Sequence, residues 1–445
     1  MSGNARETAL RVLDAVRRTD AWADASLKAQ LALDGLSGPD AALATRLVYG
    51  VLQNRMLLDF WLGAYSSQKP DHLQVPLADI LRLGVYQIVF LDKIPDSAAV
   101  NESVELTKKF KRARASGFVN AVLRQIVRNK DKLPKVPKTS EAGYLSIQYS
   151  HPKWLVERLL NTLGAEETEA LLQADNAPIP MTVQVNTLKT TTAALQEALT
   201  AAGITAEKHA WVPDCLELSG TGNLSELDAF QKGAFLVQDA AAKLVTMAAA
   251  PQTGMKILDT CAAPGGKSFS AAIAMGDTGE IVACDLHPNK LKRIAEGASR
   301  LGVTSIQMVT ADGTKNRAEW HDAFDLVLVD APCSGLGIIR KKPDVRYKEP
   351  STLRQLLPIQ AAILEQAASY VKPGGVLLYS TCTILPEENE AQTDAFLTKY
   401  GEFTRERFEL PQPVGAVDGQ MTLWPQRNGT DGFYICRMRR AKELS

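Results

Sequence analysis

Two cysteines stand where covalent chemistry could be done. Cys333 follows the apolar run DLVLVDAP, and Cys382 follows VLLYST, 49 positions later. Each run reads as a buried β-strand. Each thiol therefore lies at a strand's C-terminal end, the edge where open parallel sheets place their sites. A thiolate is a strong nucleophile whose formation a nearby cation promotes, which suits it to a transient covalent bond with substrate. The other cysteines, Cys215, Cys261, Cys284 and Cys436, are scattered. No C-x-x-C pair and no Cys/His spacing for zinc occurs, so neither a disulfide framework nor a metal site is expected. One cysteine alone reads as a small buried hydrophobe. Two at neighbouring strand ends are hard to assign to packing.

Three more features converge on that edge. LDTCAAPGGKS (258–268) follows a strand and opens a helix. Its glycines permit a tight turn and close backbone approach, and the helix start offers free N–H groups. Cys261, Ala262, Ala263, Pro264, Gly265, Gly266 and Lys267 are thus the candidate cofactor loop. Asp285, ending the next strand, can accept ribose hydroxyls, and Asp312, after the third, can receive an adenine amine. These residues describe a nucleoside cofactor without choosing one, although the G-x-G-x-x-G of dinucleotide sites is not spelled. Asp330, ending the fourth strand, can hydrogen-bond the Watson–Crick edge of a pyrimidine. Such a ring explains the thiols. Carbon 5 of cytosine is a poor nucleophile until a thiolate adds to carbon 6 and makes the ring enamine-like.

The elements that must hold these residues follow from periodicity. Strands are expected at Lys256–Thr260, Glu280–Asp285, Ile306–Thr310, Phe324–Asp330 and Gly375–Thr381, with helices between them. That alternation implies a parallel sheet with right-handed crossovers. Late strands near Phe403–Leu410 and Gly432–Met438 are expected to close one edge as a hairpin. The first 130 residues or so read as helix, with stripes at Leu43, Leu47 and Val51, at Ile80, Leu81, Val85, Ile88 and Val89, and at Phe118, Val119, Val122, Leu123 and Ile126. Ser97 is the expected N-cap of one of these helices. DKLPKVPKTS (131–140) reads as a linker. Three domains are expected in 445 residues: 1–138 helical, 141–250 a small α+β region, and 251–445 the parallel-sheet domain.

DTCAAPGGK, DAPCSG and YSTCT, in this order, resemble the signature segments of the Nop2/Sun family of RNA 5-methylcytosine methyltransferases. VNTLK (185–189) and VQDAAA (237–242) resemble that family's upstream motifs, with Gln184 and Ala241 where arginine and serine are common. ARETALRVLDAV, LRLGVYQIVFLDKIP, AVNESVELTKKF and GFVNAVLR resemble NusB-type RNA-binding helical domains. The resemblance implies a Rossmann-like class I methyltransferase domain with a seven-stranded, mostly parallel sheet. An all-α NusB-like bundle and a small α+β subdomain would precede it. It implies S-adenosyl-L-methionine as cofactor, bound by the Cys261–Lys267 loop with Asp285, Asp312 and Asp330. It implies Cys382 as the nucleophile, Cys333 as the group that helps release product, and Asp330 as the cytosine holder. DNA cytosine-5 methyltransferases instead use the cysteine of their Pro-Cys motif, which here is Cys333. The NusB-like fusion implies small-subunit ribosomal RNA as partner, before full assembly, with cytosine 967 in conventional numbering as target. A monomeric cytoplasmic enzyme is expected, with no membrane or metal partner. The alternatives are an RNA-binding assembly factor that only holds cofactor, or an enzyme acting on another RNA such as tRNA.

Net charge is zero, from 50 basic and 50 acidic residues, so RNA affinity must come from local patches. From Lys108 to Lys138 eleven cations face one carboxylate, Asp131, a local charge of +10. Lys108, Lys109, Lys111, Arg112 and Arg114 open this stretch and are candidate phosphate contacts. A second basic segment, RKKPDVRYK, follows the Cys333 loop. Its Arg340, Lys341 and Lys342 are expected along a substrate channel, with Tyr347 as a candidate for base stacking.

Overall fold

The computed structural model describes residues 4–19 and 21–442. The chain forms two compact units: residues 1–177 with 339–348, and residues 178–338 with 349–445. No helix among the described residues is long and apolar enough to cross a membrane.

The first unit is helical. It runs α1 Ala5–Thr19, α2 Ala23–Asp34, α3 Gly38–Tyr65, α4 Leu77–Phe90, α5 Asp96–Lys109, α6 Ser116–Arg128, α7 Glu141–Tyr149, α8 Lys153–Leu163 and α9 Ala165–Asn176. Its core forms from the expected stripes: Leu47 and Val51 of α3, Ile80, Leu81, Val85 and Ile88 of α4, and Val119, Leu123 and Ile126 of α6 are all buried. Each contributes about 1.5–3 kcal/mol by leaving water. Ser97 does not cap α5: the helix starts one residue earlier, and Pro95, with extended backbone, occupies the cap position. In the 131–140 segment Val136 is buried, and the Trp61 indole donates to the Pro134 carbonyl at 3.1 Å.

Helices α7 to α9 belong to this unit rather than to the small region expected over 141–250. The reason is specific bonding to α3. Ser150 Oγ accepts from the Leu57 amide at 3.1 Å, and Gln53 Nε2 donates to the Asn176 carbonyl at 2.7 Å. Residues 339–348 also fold here. Arg346 is fully buried, and its Nη1 donates to the carbonyls of Tyr149 and Ser150, each at 3.2 Å, and to Asn176 Oδ1 at 3.0 Å. Tyr347 donates its hydroxyl to the Leu52 carbonyl at 2.8 Å, and the Arg55 guanidinium stacks 3.7 Å from its ring centre.

The second unit opens with β1 Met181–Val185, α10 Thr192–Ala201, β2 Thr205–Lys208, β3 Cys215–Ser219, α11 Asp228–Gln231 and β4 Phe235–Val237. These strands form a small antiparallel sheet in the order β2-β3-β1-β4. Then follow α12 Ala240–Ala249, β5 Lys256–Asp259, α13 Gly266–Ala274, β6 Glu280–Asp285, α14 Pro288–Leu301, β7 Ile306–Thr310, β8 Phe324–Asp330, α15 Pro350–Tyr370, β9 Val371–Thr381 and α16 Glu390–Lys399. The chain ends with β10 Phe403–Arg405, β11 Phe408–Leu410, β12 Gly415–Val417, β13 Gln420–Leu423, α17 Pro425–Asn428 and β14 Phe433–Arg440.

The large sheet has the order β10-β14-β9-β8-β5-β6-β7. Strands β5 to β9 run parallel, and β14 joins β9 antiparallel. Eight strands take part rather than seven, because β13 covers Phe433–Cys436 of β14 while β10 covers Met438–Arg440. The expected late edge pair forms in part: Phe403–Arg405 of β10 pairs antiparallel with β14 at the sheet edge, while Phe408–Leu410 leaves the sheet. Strand β14 is internal, and β11 pairs with β12 in a separate two-stranded ribbon. Chain order reverses at β5, which lies between β6 and β8. Open sheets of this kind bind ligands in the crevice at such a reversal.

Candidate active site

The C-terminal ends of β5, β6, β8 and β9 deliver Cys261, Asp285, Asp330 and Cys382 to one edge. A cleft of about 560 Å³ opens there, and Cys261, Ala263, Asp285, Asp312, Asp330, Cys333 and Cys382 all line it. Of the other loop residues named from sequence, Ala262 and Lys267 are buried, and Pro264 is exposed outside the cleft lining. Gly265 turns the chain into α13 with φ +108°, and a Cβ on it would lie 2.6 Å from the Phe269 ring. Any side chain there is thus doubly excluded. The first amides of Gly266–Ala274 are left to face a ligand or solvent, as at every helix start.

The carboxylates differ in their bonding. Asp285 Oδ1 accepts from the His287 amide at 2.9 Å and lies 3.5 Å from Lys290 Nζ. Asp312 accepts from the Thr314 hydroxyl at 2.7 Å and its amide at 2.9 Å, and these bonds hold its carboxyl below the usual range. Leu286, 55% exposed, and Ile359, 40% exposed, are apolar faces along the same cleft. Acceptors for hydroxyls and an amine, apolar walls and a side-chain-free turn fit an adenosine-bearing cofactor. The volume lies in the usual range for small-molecule sites, about 300–1,000 Å³.

Behind the loop, Asp259 is fully buried and accepts from Ser268 Oγ at 2.7 Å, tying β5 to the first turn of α13. Burial pushes its carboxyl up to about 6, against that hydrogen bond. The folded protein then keeps a proton that the unfolded chain releases near pH 4. The resulting stability is present below about pH 4 and is lost as pH rises to about 6. Asp259→Asn is expected to remove this decline, on the order of 2–3 kcal/mol. The measurement is the urea midpoint from pH 4 to 7 for variant and wild type, and parallel curves would exclude the effect.

The two thiols meet. Cys333 Sγ and Cys382 Sγ are 3.3 Å apart, each half-buried. The contact with Cys382, and then burial, hold the Cys333 thiol well above its ordinary range. Burial likewise pushes Cys215 and Cys436 to about 11 and Cys261 and Cys284 to about 12. These five remain thiols near neutral pH. Beside the pair, Lys267 Nζ donates to Asp330 Oδ2 at 2.6 Å, and Ser380 Oγ donates to Asp330 Oδ1 at 3.0 Å. Burial works against the Lys267 charge, but the Asp330 carboxylate, with Asp259 behind it, outweighs burial and raises the ammonium's pKa. Lys267, named from sequence as part of the cofactor loop, is in this structure the partner of Asp330.

Sequence reading missed Ser380 and the residues after Cys382. Ser380 lies one strand position before Thr381, and the acid-rich PEENE was the available signal. Gln184 is buried and accepts from Ser270 Oγ at 2.7 Å.

The basic candidates lie in the helical unit. Lys108, Lys109, Lys111 and Arg114 are exposed. Lys108 pairs with Glu105 at 2.6 Å and Lys109 with Glu7 at 3.2 Å, while Arg112 donates to the Val75 carbonyl. Such exposed pairs are worth at most about 1 kcal/mol and yield to a phosphate at little cost. Arg340, Lys341 and Lys342 are half-buried, and Lys342 pairs with Asp24 at 3.6 Å.

Comparison with known proteins is consistent across the chain. Residues 246–439 match the family model "16S rRNA methyltransferase RsmB/F". Residues 3–128 match the NusB family, and 151–225 match the RsmF/B-like ferredoxin-like domain. The probable ribosomal RNA small subunit methyltransferase B of Bacillus subtilis (strain 168) is 38% identical, over 98% of both chains. The protein of the same name from Synechocystis is 37% identical, over 98% of this chain and 100% of its own. The solved structure of PH0851 superposes with TM-score 0.82 at 26% identity, covering 99% of this chain and 100% of that one.

Proposed function

We propose that this chain, which belongs to the RsmB/F family of 16S rRNA methyltransferases, methylates carbon 5 of a cytosine through a covalent bond from Cys382 to carbon 6. It is an S-adenosylmethionine-dependent methyltransferase acting on ribosomal RNA. The cytosine specificity, the covalent route and the residue roles are our reading. So are a target at cytosine 967, a monomeric enzyme and a cytoplasmic reaction on rRNA not yet fully assembled. The observation that carries it is the pair of strand-end thiols, 3.3 Å apart, beside Asp330 in the cofactor-sized cleft.

In this reading Asp285 and Asp312, with the Cys261–Gly266 loop, hold the cofactor. When bound, S-adenosylmethionine supplies an electrophilic methyl group on sulfonium sulfur. Asp330, fixed by Lys267 and Ser380, accepts from the cytosine amino group. Cys382 attacks as its thiolate, forming a bond to carbon 6 and leaving carbon 5 electron-rich. Once carbon 5 carries the methyl group, a base must take its proton. That electron pair restores the ring double bond as the sulfur–carbon bond breaks, and the Cys382 thiolate is regenerated. Cys333, a thiol beside Cys382, is placed to assist this departure. A base within helical RNA must first be turned out of its stack.

The test is incubation of the purified protein with methyl-labelled cofactor and unmodified small-subunit rRNA, followed by nucleoside mass spectrometry. The expected product is 5-methylcytidine. Label on an exocyclic amine, or none, would overturn the reading.

A further inference from the structure

Glu388 is nearly inaccessible to solvent, and no cation pairs with its carboxylate among the described residues. Its oxygens are instead used on one small turn. Oε1 accepts from the Ser334 amide at 2.8 Å and from Gln360 Nε2 at 3.0 Å, and Oε2 accepts from Ser334 Oγ at 2.5 Å. Ser334 immediately follows Cys333. Its hydroxyl proton is committed to Glu388, so the 2.7 Å contact between Ser334 Oγ and Thr383 Oγ1 must use the Thr383 proton. Thr383 immediately follows Cys382. Gln360 Nε2 also reaches the Pro332 carbonyl at 2.9 Å, and the Tyr379 hydroxyl fixes the Glu388 carbonyl at 2.7 Å. One carboxylate therefore joins the turn after Cys333 to the turn after Cys382. An amide could keep the two bonds to Oε1, but its nitrogen cannot accept from the Ser334 hydroxyl, so the arrangement uses both carboxylate oxygens as acceptors.

We propose that Glu388 is a positioning residue of the reaction: through Ser334 it clamps the Cys333 turn to the Cys382 turn, and its negative charge disfavours a second anion at Cys333. This rests on the reading of Cys382 as nucleophile. The same clamp brings the carboxylate near enough to work against ionisation of the Cys333 thiol, after the Cys382 contact and burial. The clamp keeps the second thiol near and neutral while the first attacks.

The experiment uses the full-length protein with Glu388→Gln and Glu388→Ala. Without RNA or cofactor, each is alkylated with iodoacetamide across pH, and both cysteines are quantified by mass spectrometry. Wild type is expected to react first at Cys382. In E388Q the Cys333 profile should move to lower pH, and the Cys382-to-Cys333 ratio should fall by about tenfold, the effect of one pKa unit. With rRNA, E388A should lose about 10–100-fold in kcat with KM for RNA unchanged, and E388Q, which keeps the bonds to one oxygen but not the charge, should recover only part of that loss. Thiol ratios within about twofold of wild type in E388Q, or wild-type kcat in E388A, overturn the proposal. If E388A fails to fold, the E388Q ratio decides alone. Because alkylation needs no substrate, a shifted ratio in a protein that methylates no RNA would sink the proposed function and leave the clamp standing.

Discussion

Cys382→Ala is expected to abolish methyl transfer and covalent attachment to RNA together. The expected loss is at least about 10³-fold, because without a bond at carbon 6 the ring never gains nucleophilic character at carbon 5. No other thiol can substitute. Cys333 is next to the same space but is held as a thiol by its contact with Cys382 and by burial. Removing Cys382 takes away that contact, yet leaves Cys333 on β8's turn, one strand farther from the sheet's β14 side. Cys261 also lines the cleft, and burial holds it at about 12. Binding should survive the substitution, since Asp285, Asp312 and Asp330 are untouched. The measurement is label transfer together with a denaturing gel for protein-bound RNA. A variant that still formed the adduct would show that our assignment of the two cysteines is reversed.

The catalytic half was legible because its logic is local. Expected strands Glu280–Asp285, Ile306–Thr310 and Phe324–Asp330 are the observed β6, β7 and β8; β6 and β8 are buried parallel strands, which announce themselves as apolar runs closed by polar residues. Strand β9 begins at Val371 rather than at Gly375 because Lys372–Gly375 bulge out, between the pairs Phe324↔Val371 and Leu326↔Val376. Proline and two glycines there look like a break, and only the neighbouring strand shows that pairing resumes. What could not be read depends on partners far away in sequence. Arg346 lies in the basic segment expected along a substrate channel, but its guanidinium is buried and donates to carbonyls about 200 residues earlier in the helical unit. Lys267 looked like a cofactor-loop cation, and its bond to Asp330 spans 63 positions. Strand β14 sits between β9 and β10 because the chain after β10 loops through a ribbon first, a detour that alternation alone does not reveal.

Cys333→Ala should give the opposite phenotype to Cys382→Ala: attack proceeds and release stalls. After methyl transfer the enzyme is still bonded to carbon 6, and freedom requires loss of the carbon-5 proton with departure of the Cys382 sulfur. The group held against that sulfur, at 3.3 Å, is the Cys333 thiol. Because Cys333 is a neutral thiol beside Cys382, its removal takes no charge from the pair and leaves the attacking sulfur in place. A single round of methyl transfer should therefore keep within about tenfold of the wild-type rate, while multiple turnover falls by about 10²–10⁴-fold, the scale of a lost proton-transfer group. The stalled species should survive denaturation as a slow-migrating protein–RNA band carrying the methyl label, and Cys382→Ala placed on top of Cys333→Ala should erase it. If Cys333→Ala instead turned over normally with no band, proton removal would have to be done without this thiol, and a water held at Asp330 would become the group to test next.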